Sequence, residues 1–177
     1  MAELVPAASD AARAEVLVTA TDLNVVLGAA VPPAVLDVRW ALGDPHGYEH
    51  YLAAHIPGAR FADLESELSA PATPEQGRHP LPDIDELQRA ARGWGLTRGQ
   101  PVVVYDATGA QAAARAWWVL RWAGVSDVRI LDGGLPAWVR AGFATVSGRP
   151  RSGGGQLGDV VLSAGHLPVM DLSLIHI

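Results

Sequence analysis

Cysteine is absent from the 177 residues of this chain, and that absence closes off more chemistry than any other feature of the composition. Disulfides, zinc-thiolate sites and thiol nucleophiles are excluded together. Long apolar runs are lacking as well. Residues 101–105 and 112–120 are the longest, far below the roughly 20 that a bilayer demands, and Arg115 interrupts the second. No signal-peptide pattern opens the chain: Met1-Ala2-Glu3 has no positive region and residues 11–15 are polar, so the expected location is cytoplasmic. Basic charge is in deficit, with 13 Lys and Arg against 19 Asp and Glu and a formal net charge of −6. Nucleic-acid binders usually display a basic face, so neither nucleic acid nor membrane is an expected partner. Small anions stay open, through local fields.

What is present suits one folded domain: 49% of residues are hydrophobic and six are Trp. Residues 1–14, Ala-rich and polar, read as a loosely ordered lead-in. A β-like run at 16–18 follows, and Thr19 and Asp22 then have the spacing of a capping box ahead of Leu23, Val26 and Leu27. Residues 34–40 (AVLDVRW) and 101–105 (PVVVY) are apolar runs of strand length, the second being the clearest central strand. Residues 46–54 suit a short helix. Pro57 and Gly58 force a turn before a strand at 60–62, and 69–82 is a long Pro-rich loop. Asp83 and Asp85 stand at the positive end of a helix through Leu87, Ala90 and Ala91. Trp117, Trp118 and Trp122 share a second helix with Arg121, residues 128–131 form another strand, and Pro136 opens a helix carrying Trp138. Strands alternating with helices imply right-handed crossovers, an α/β fold with a parallel sheet and helices on both faces, and ligands at the carboxyl ends of the strands. Residues 147–166 read as a Gly, Ser and Arg linker.

Val35-Leu36-Asp37-Val38-Arg39-Trp40, His55-Ile56-Pro57-Gly58-Ala59, Gly77-Arg78-His79-Pro80-Leu81-Pro82, residues 102–106, residues 113–121 and Leu131-Asp132-Gly133-Gly134 resemble, in this order, the tandem rhodanese-type sulfurtransferases. That family acts on thiosulfate or 3-mercaptopyruvate and is built from two similar domains, of which only the second normally carries the catalytic Cys. The resemblance covers about residues 16–146 and is to the first domain. It implies a single rhodanese-like domain over 15–146 that lacks the nucleophile. His166-Leu167-Pro168-Val169-Met170-Asp171 resembles the opening of the second domain, but residues 172–177 break from it, so 167–177 reads as a truncated start. The partner so implied is the missing second domain of the same polypeptide.

In such a domain the Cys sits just after the central strand, in a loop whose N–H groups point inward ahead of a helix and hold a thiolate or persulfide. Here the matching residue is Asp106. A carboxylate cannot carry sulfane sulfur, and its fixed charge repels thiosulfate or phosphate. Asp106 is expected to be structural; the alternative, a carboxylate covalent intermediate, needs an activated electrophile that nothing signals. The resemblance associates Asp63 and His79 with the interdomain cleft, where a carboxylate that orients and charges an imidazole could relay a proton; the plainer reading is a helix-capping Asp and a solvated His. Trp40 matches a cleft-lining position and equally suits interface packing. Arg39, Arg115 and Arg121 are expected in ion pairs with Asp or Glu. His46, His50 and His55 straddle a Pro-Gly loop without an acidic ligand pattern, so no metal is expected, nor any cofactor. The three clustered Trp suit core and interface packing.

Two functions follow. One is a sulfurtransferase, with thiosulfate or 3-mercaptopyruvate as donor and cyanide or a thiol as acceptor, of which this chain is the non-catalytic first half. The other is a stand-alone, Cys-free binding or scaffold module. A rhodanese-like phosphatase ranks third, since that chemistry needs the missing Cys.

Overall fold

Residues 102–105 are β-branched or aromatic and uncharged, so an extended strand buried on both faces removes all four from water at once. In the computed structural model, which describes residues 9–149 and 157–169, they form β4, Val102–Tyr105, with every residue buried. Four more strands join it: β1 Leu17–Val18, β2 Ala34–Asp37, β3 Arg60–Phe61 and β5 Val128–Leu131. Their order is β1-β5-β4-β2-β3, and every pairing is parallel. The helices are α1 Asp10–Val16, α2 Ala20–Leu27, α3 Gly47–Ala53, α4 Ile84–Gly93, α5 Gln111–Trp122 and α6 Gly134–Arg140.

The alternation of side chains along each strand divides the interior in two. Val102 and Val104 pack with α4 and α5 on one face; Val103 and Tyr105 pack with α2 and α6 on the other. Burying a side chain of this size stabilises by ~2 kcal/mol, so β4 alone anchors both layers. The helix starts are capped as their sequences imply. Thr19 Oγ1 accepts from the N–H of Asp22 at 3.1 Å and donates to its carboxylate at 2.7 Å, while Asp83 Oδ1 accepts from the N–H groups of Asp85 and Glu86 at 2.9 and 3.1 Å.

Three stretches differ from their sequence reading. Within the expected loose lead-in, residues 10–14 are helical, belonging to α1; Ser9 Oγ caps that helix and Arg13 reaches Asp132 at 3.2 Å. Helix α1 buries no residue, so it lacks the apolar stripe by which a helix is recognised in sequence. Strand β2 ends at Asp37 instead of running to Trp40, because Arg39 turns back to bind the carboxylate beneath it. The stretch read as a linker is anchored over its last residues: Val160 and Leu162 are buried in the α4–α5 core, and Val160 N–H donates to Leu96 O at 3.2 Å. Gly158 makes this possible, since a Cβ there would stand 1.9 Å from the Leu96 carbonyl oxygen. The remainder of that stretch at 150–156, residues 1–8 of the lead-in, and most of the second-domain start, 170–177, lie outside the described residues. No described helix is long and apolar enough to cross a membrane.

Candidate functional site

Because all five strands run in parallel, the loops after β2, β3 and β4 open at the same end of the sheet. Two arrangements meet there. The first is the loop between β4 and α5, in which Gly109 and Ala110 both take left-handed φ, +85° and +68°, and turn the following amides inward. Asp106 fills the resulting cradle itself. Its Oδ1 accepts from Thr108 N and Ala110 N at 3.0 and 2.9 Å, its Oδ2 from Ala112 N and Ala113 N at 3.0 and 3.1 Å, and it is 1% exposed. The carboxylate thus takes the place an incoming anion would occupy and serves as the cap that α5 lacks at Ala110. With four N–H groups on it and no path to solvent, it has no lone pair to offer an electrophile. Gly134 closes the floor, where a Cβ would stand 2.4 Å from Asp106 O.

The second arrangement is a cleft of about 340 Å³ between the loop after β2 and the turn after β3, bordered by Trp40, Asp44, Asp63, Glu65 and Arg78. Trp40 donates its indole N–H to Glu65 Oε1 at 3.0 Å and meets the His79 ring edge-on, with centroids 5.4 Å apart. The same Glu65 oxygen lies 3.8 Å from His79 Nε2. His79 has φ +56°, a conformation held from behind by Arg115, whose guanidinium donates to the carbonyls of Leu68, His79 and Pro80 at 3.3, 3.0 and 2.8 Å. Burial pushes the Arg115 pKa down, and no carboxylate offsets it.

Asp63 and His79 stand at the same end of the fold, but the carboxylate facing the imidazole is Glu65. Asp63 Oδ1 accepts from the N–H groups of Glu65 and Ser66 at 2.8 and 3.0 Å and so builds the turn that presents Glu65. Glu67 completes the turn by accepting from Asp63 N at 2.8 Å and from the Trp94 indole at 3.1 Å; burial pushes its pKa up, against those bonds. Glu65 was not singled out in the sequence, where a third acidic residue in Asp63-Leu64-Glu65-Ser66-Glu67 carries no distinguishing mark.

The arginines divide. Arg39 makes the expected ion pair: Nη2 lies 2.7 Å and Nε 3.2 Å from the two oxygens of Asp37, and the guanidinium also reaches the carbonyls of His50 and Ala54 at the end of α3. Asp37 is fully buried, and burial pushes its pKa up more strongly than Arg39 pulls it down. Tyr105 lies beside it and accepts from Ile56 N at 3.0 Å; burial first, then the Asp37 charge, push its pKa up. Arg115 and Arg121 depart from expectation, binding carbonyls in place of carboxylates, with Arg121 on Ser126 O. The acid beside Ser126, Asp127, is instead paired with Arg129. The three histidines go to separate places: His50 lies 2.9 Å from Asp44, His46 lies 3.9 Å from Glu49, and His55 is buried against Tyr51. Among the described residues no three His, Asp or Glu side chains converge as a metal site. Trp122 is buried, Trp118 stacks on it with centroids 6.5 Å apart, and Trp117 donates to Val128 O at 2.8 Å.

This architecture has known relatives. The chain is 48% identical over 151 residues to SseB of Mycobacterium tuberculosis, which bears a thiosulfate sulfurtransferase name; the match covers 85% of this chain and 52% of that one. It is 53% identical over 117 residues to a Pseudomonas aeruginosa protein named for 3-mercaptopyruvate sulfurtransferase, covering 64% of this chain and 41% of the relative. The crystal structure of SseA from Escherichia coli, a 3-mercaptopyruvate sulfurtransferase, superposes with a TM-score of 0.79 at 30% identity, covering 90% of this chain and 59% of SseA. The chain therefore spans about half the length of these relatives. Residues 19–141 match the rhodanese-like domain, and the chain belongs to that family.

Proposed function

We propose that this chain is the non-catalytic first half of a cytoplasmic sulfurtransferase whose second rhodanese domain supplies the persulfide-forming Cys. In the whole protein, the Cys thiolate of that domain takes the sulfane sulfur of thiosulfate, releasing sulfite, or the thiol sulfur of 3-mercaptopyruvate, whose C–S electron pair stays on carbon and takes up a proton to release pyruvate. The resulting persulfide passes its sulfur to cyanide or a thiol. The observation that carries this reading is Asp106: its carboxylate fills, with four N–H bonds, the cradle that would have to hold the nucleophile. This half then contributes one wall of the substrate cleft through Trp40, Glu65 and His79. Asp63 builds the turn on which Glu65 stands, and His79, with Glu65 beside it, is the group placed to move a proton to or from the acceptor. The net charge of −6 argues against nucleic acid as a partner.

The test is thiocyanate formation from cyanide with each sulfur donor, assayed on the 177-residue chain and on the product of the intact native gene. The chain alone is expected to give no turnover above the uncatalysed rate, and the native product, about twice its mass and containing Cys, to turn over. Turnover by the Cys-free chain sinks the proposal, and a native product of 18.6 kDa without Cys sinks it and leaves a binding module in its place.

A further inference from the structure

Beside β3 lies a second cavity, of about 600 Å³, which shares no residue with the cleft. Its floor and walls come from two segments far apart in sequence. The turn after α3 brings His55 and the start of β3 brings Arg60; the chain after α6 brings Thr145, Ser147 and Arg149. The two are tied together by a reciprocal backbone pair, His55 N to Val146 O and Val146 N to His55 O, both 2.9 Å. Gly148, with φ +84°, turns the chain back and fixes it by donating to Leu52 O at 2.7 Å. The walls are therefore set before any ligand arrives.

The electrostatics of this cavity run against those of the protein. The chain carries a net charge of −6, yet no carboxylate lines the cavity, and its ionisable side chains are two arginines and a histidine. Among the described residues neither Arg60 nor Arg149 takes part in an ion pair. A guanidinium presents planar, forked N–H donors that match a tetrahedral oxyanion, and two hydroxyls add further donors. His55 is 1% exposed, stacks on Tyr51 and has Nδ1 2.8 Å from the Tyr51 carbonyl oxygen. A carbonyl only accepts, so Nδ1 carries the hydrogen, and in that tautomer Nε2 is an acceptor with no hydrogen-bond partner among the described residues.

We propose that this cavity is a binding site for hydrogen phosphate. The arginines and hydroxyls donate to its unprotonated oxygens, and its one O–H donates to His55 Nε2. Sulfate has the same shape and charge but no O–H to give at neutral pH, so it leaves that contact unmade.

The experiment is an amide ¹H–¹⁵N titration of the full chain at neutral pH with sodium phosphate, holding ionic strength constant with sodium chloride. Saturable shifts confined to residues 55–60 and 145–148 are expected, with sulfate binding at least threefold more weakly. Arg149→Gln, at an exposed side chain that folding does not need, should weaken phosphate by roughly tenfold, and Arg60→Gln by at least as much. Arg98→Gln, outside the cavity, should leave binding unchanged. Shifts that never saturate, that centre elsewhere, or that persist with unchanged affinity in Arg149→Gln overturn the site. Equal affinity for sulfate and phosphate overturns the role given to His55.

Discussion

The two arrangements at the carboxyl end of the sheet are opposites in construction. Asp106 is buried and its carboxylate carries four charge-assisted bonds, all from backbone N–H groups of the following loop and the start of α5; Glu65 is two-thirds exposed, with one indole bond and one long approach to an imidazole. The first is a closed structural device, and the second is a surface whose groups still have bonding capacity. A site that is to meet a substrate or a partner domain must keep such capacity, whereas a buried carboxylate must spend all of it to stay in a dry interior. The difference marks one loop as a closed stabilising device and leaves the other as an open surface.

Substitutions can break this contrast or sharpen it. Asp106→Ala has the largest expected effect, because it strands four inward-facing N–H groups and removes the cap of α5; a loss of ~4 kcal/mol is expected in urea unfolding. A loss under ~1 kcal/mol would mean that the cradle is satisfied by water and that Asp106 is not the anchor. Arg115→Met should cost ~2 kcal/mol by removing a donor shared by three carbonyls, and amide exchange in the 69–82 loop should accelerate while β4 stays protected. Uniform acceleration across the domain would show that Arg115 holds the core and not the His79 loop in particular.

Glu65→Ala touches only the open arrangement. It should cost ~0.5 kcal/mol or less and shift the Trp40 indole N–H resonance, leaving the Asp106 loop amides unmoved. The smallest effect expected is on pH dependence at Asp44. The backbone N–H of His46 and then the His50 side chain hold its carboxyl below the ordinary value of 3.8. A lowered folded-state pKa means that the stabilisation is present above pH 3.8 and is lost as pH falls through the lowered value. Asp44→Asn should therefore flatten the acid limb of the urea-midpoint curve below about pH 4. A curve unchanged at the acid end would show that the Asp44 contacts persist only in the crowded loop and carry no linkage.

Much of this was legible in the chain itself. Residues 101–105 read as the central strand, and the capping residues Thr19 and Asp83 marked helix starts, because strand runs and caps are local patterns that carry their own physics. The resemblance puts Asp106 at the nucleophile position, where a carboxylate cannot carry sulfane sulfur. Other features were not local. Helix α1 has no apolar face, and Val160 and Leu162 are core residues at the end of a stretch whose Gly, Ser and Arg composition reads as a spacer. Their burial depends on the distant edge of α4 and on a glycine that lets two backbones meet.

The sequence by itself determined the parallel α/β architecture, the family and the absence of thiol chemistry, because those rest on hydrophobic period, motif order and residue inventory. Only the tertiary structure decided which carboxylate faces His79, that Arg115 and Arg121 serve carbonyls in place of acids, and that Asp106 plugs its own cradle. Those are matters of direction and distance between segments, and Asp63, Glu65 and Glu67 are equivalent in sequence until a turn fixes where each oxygen points.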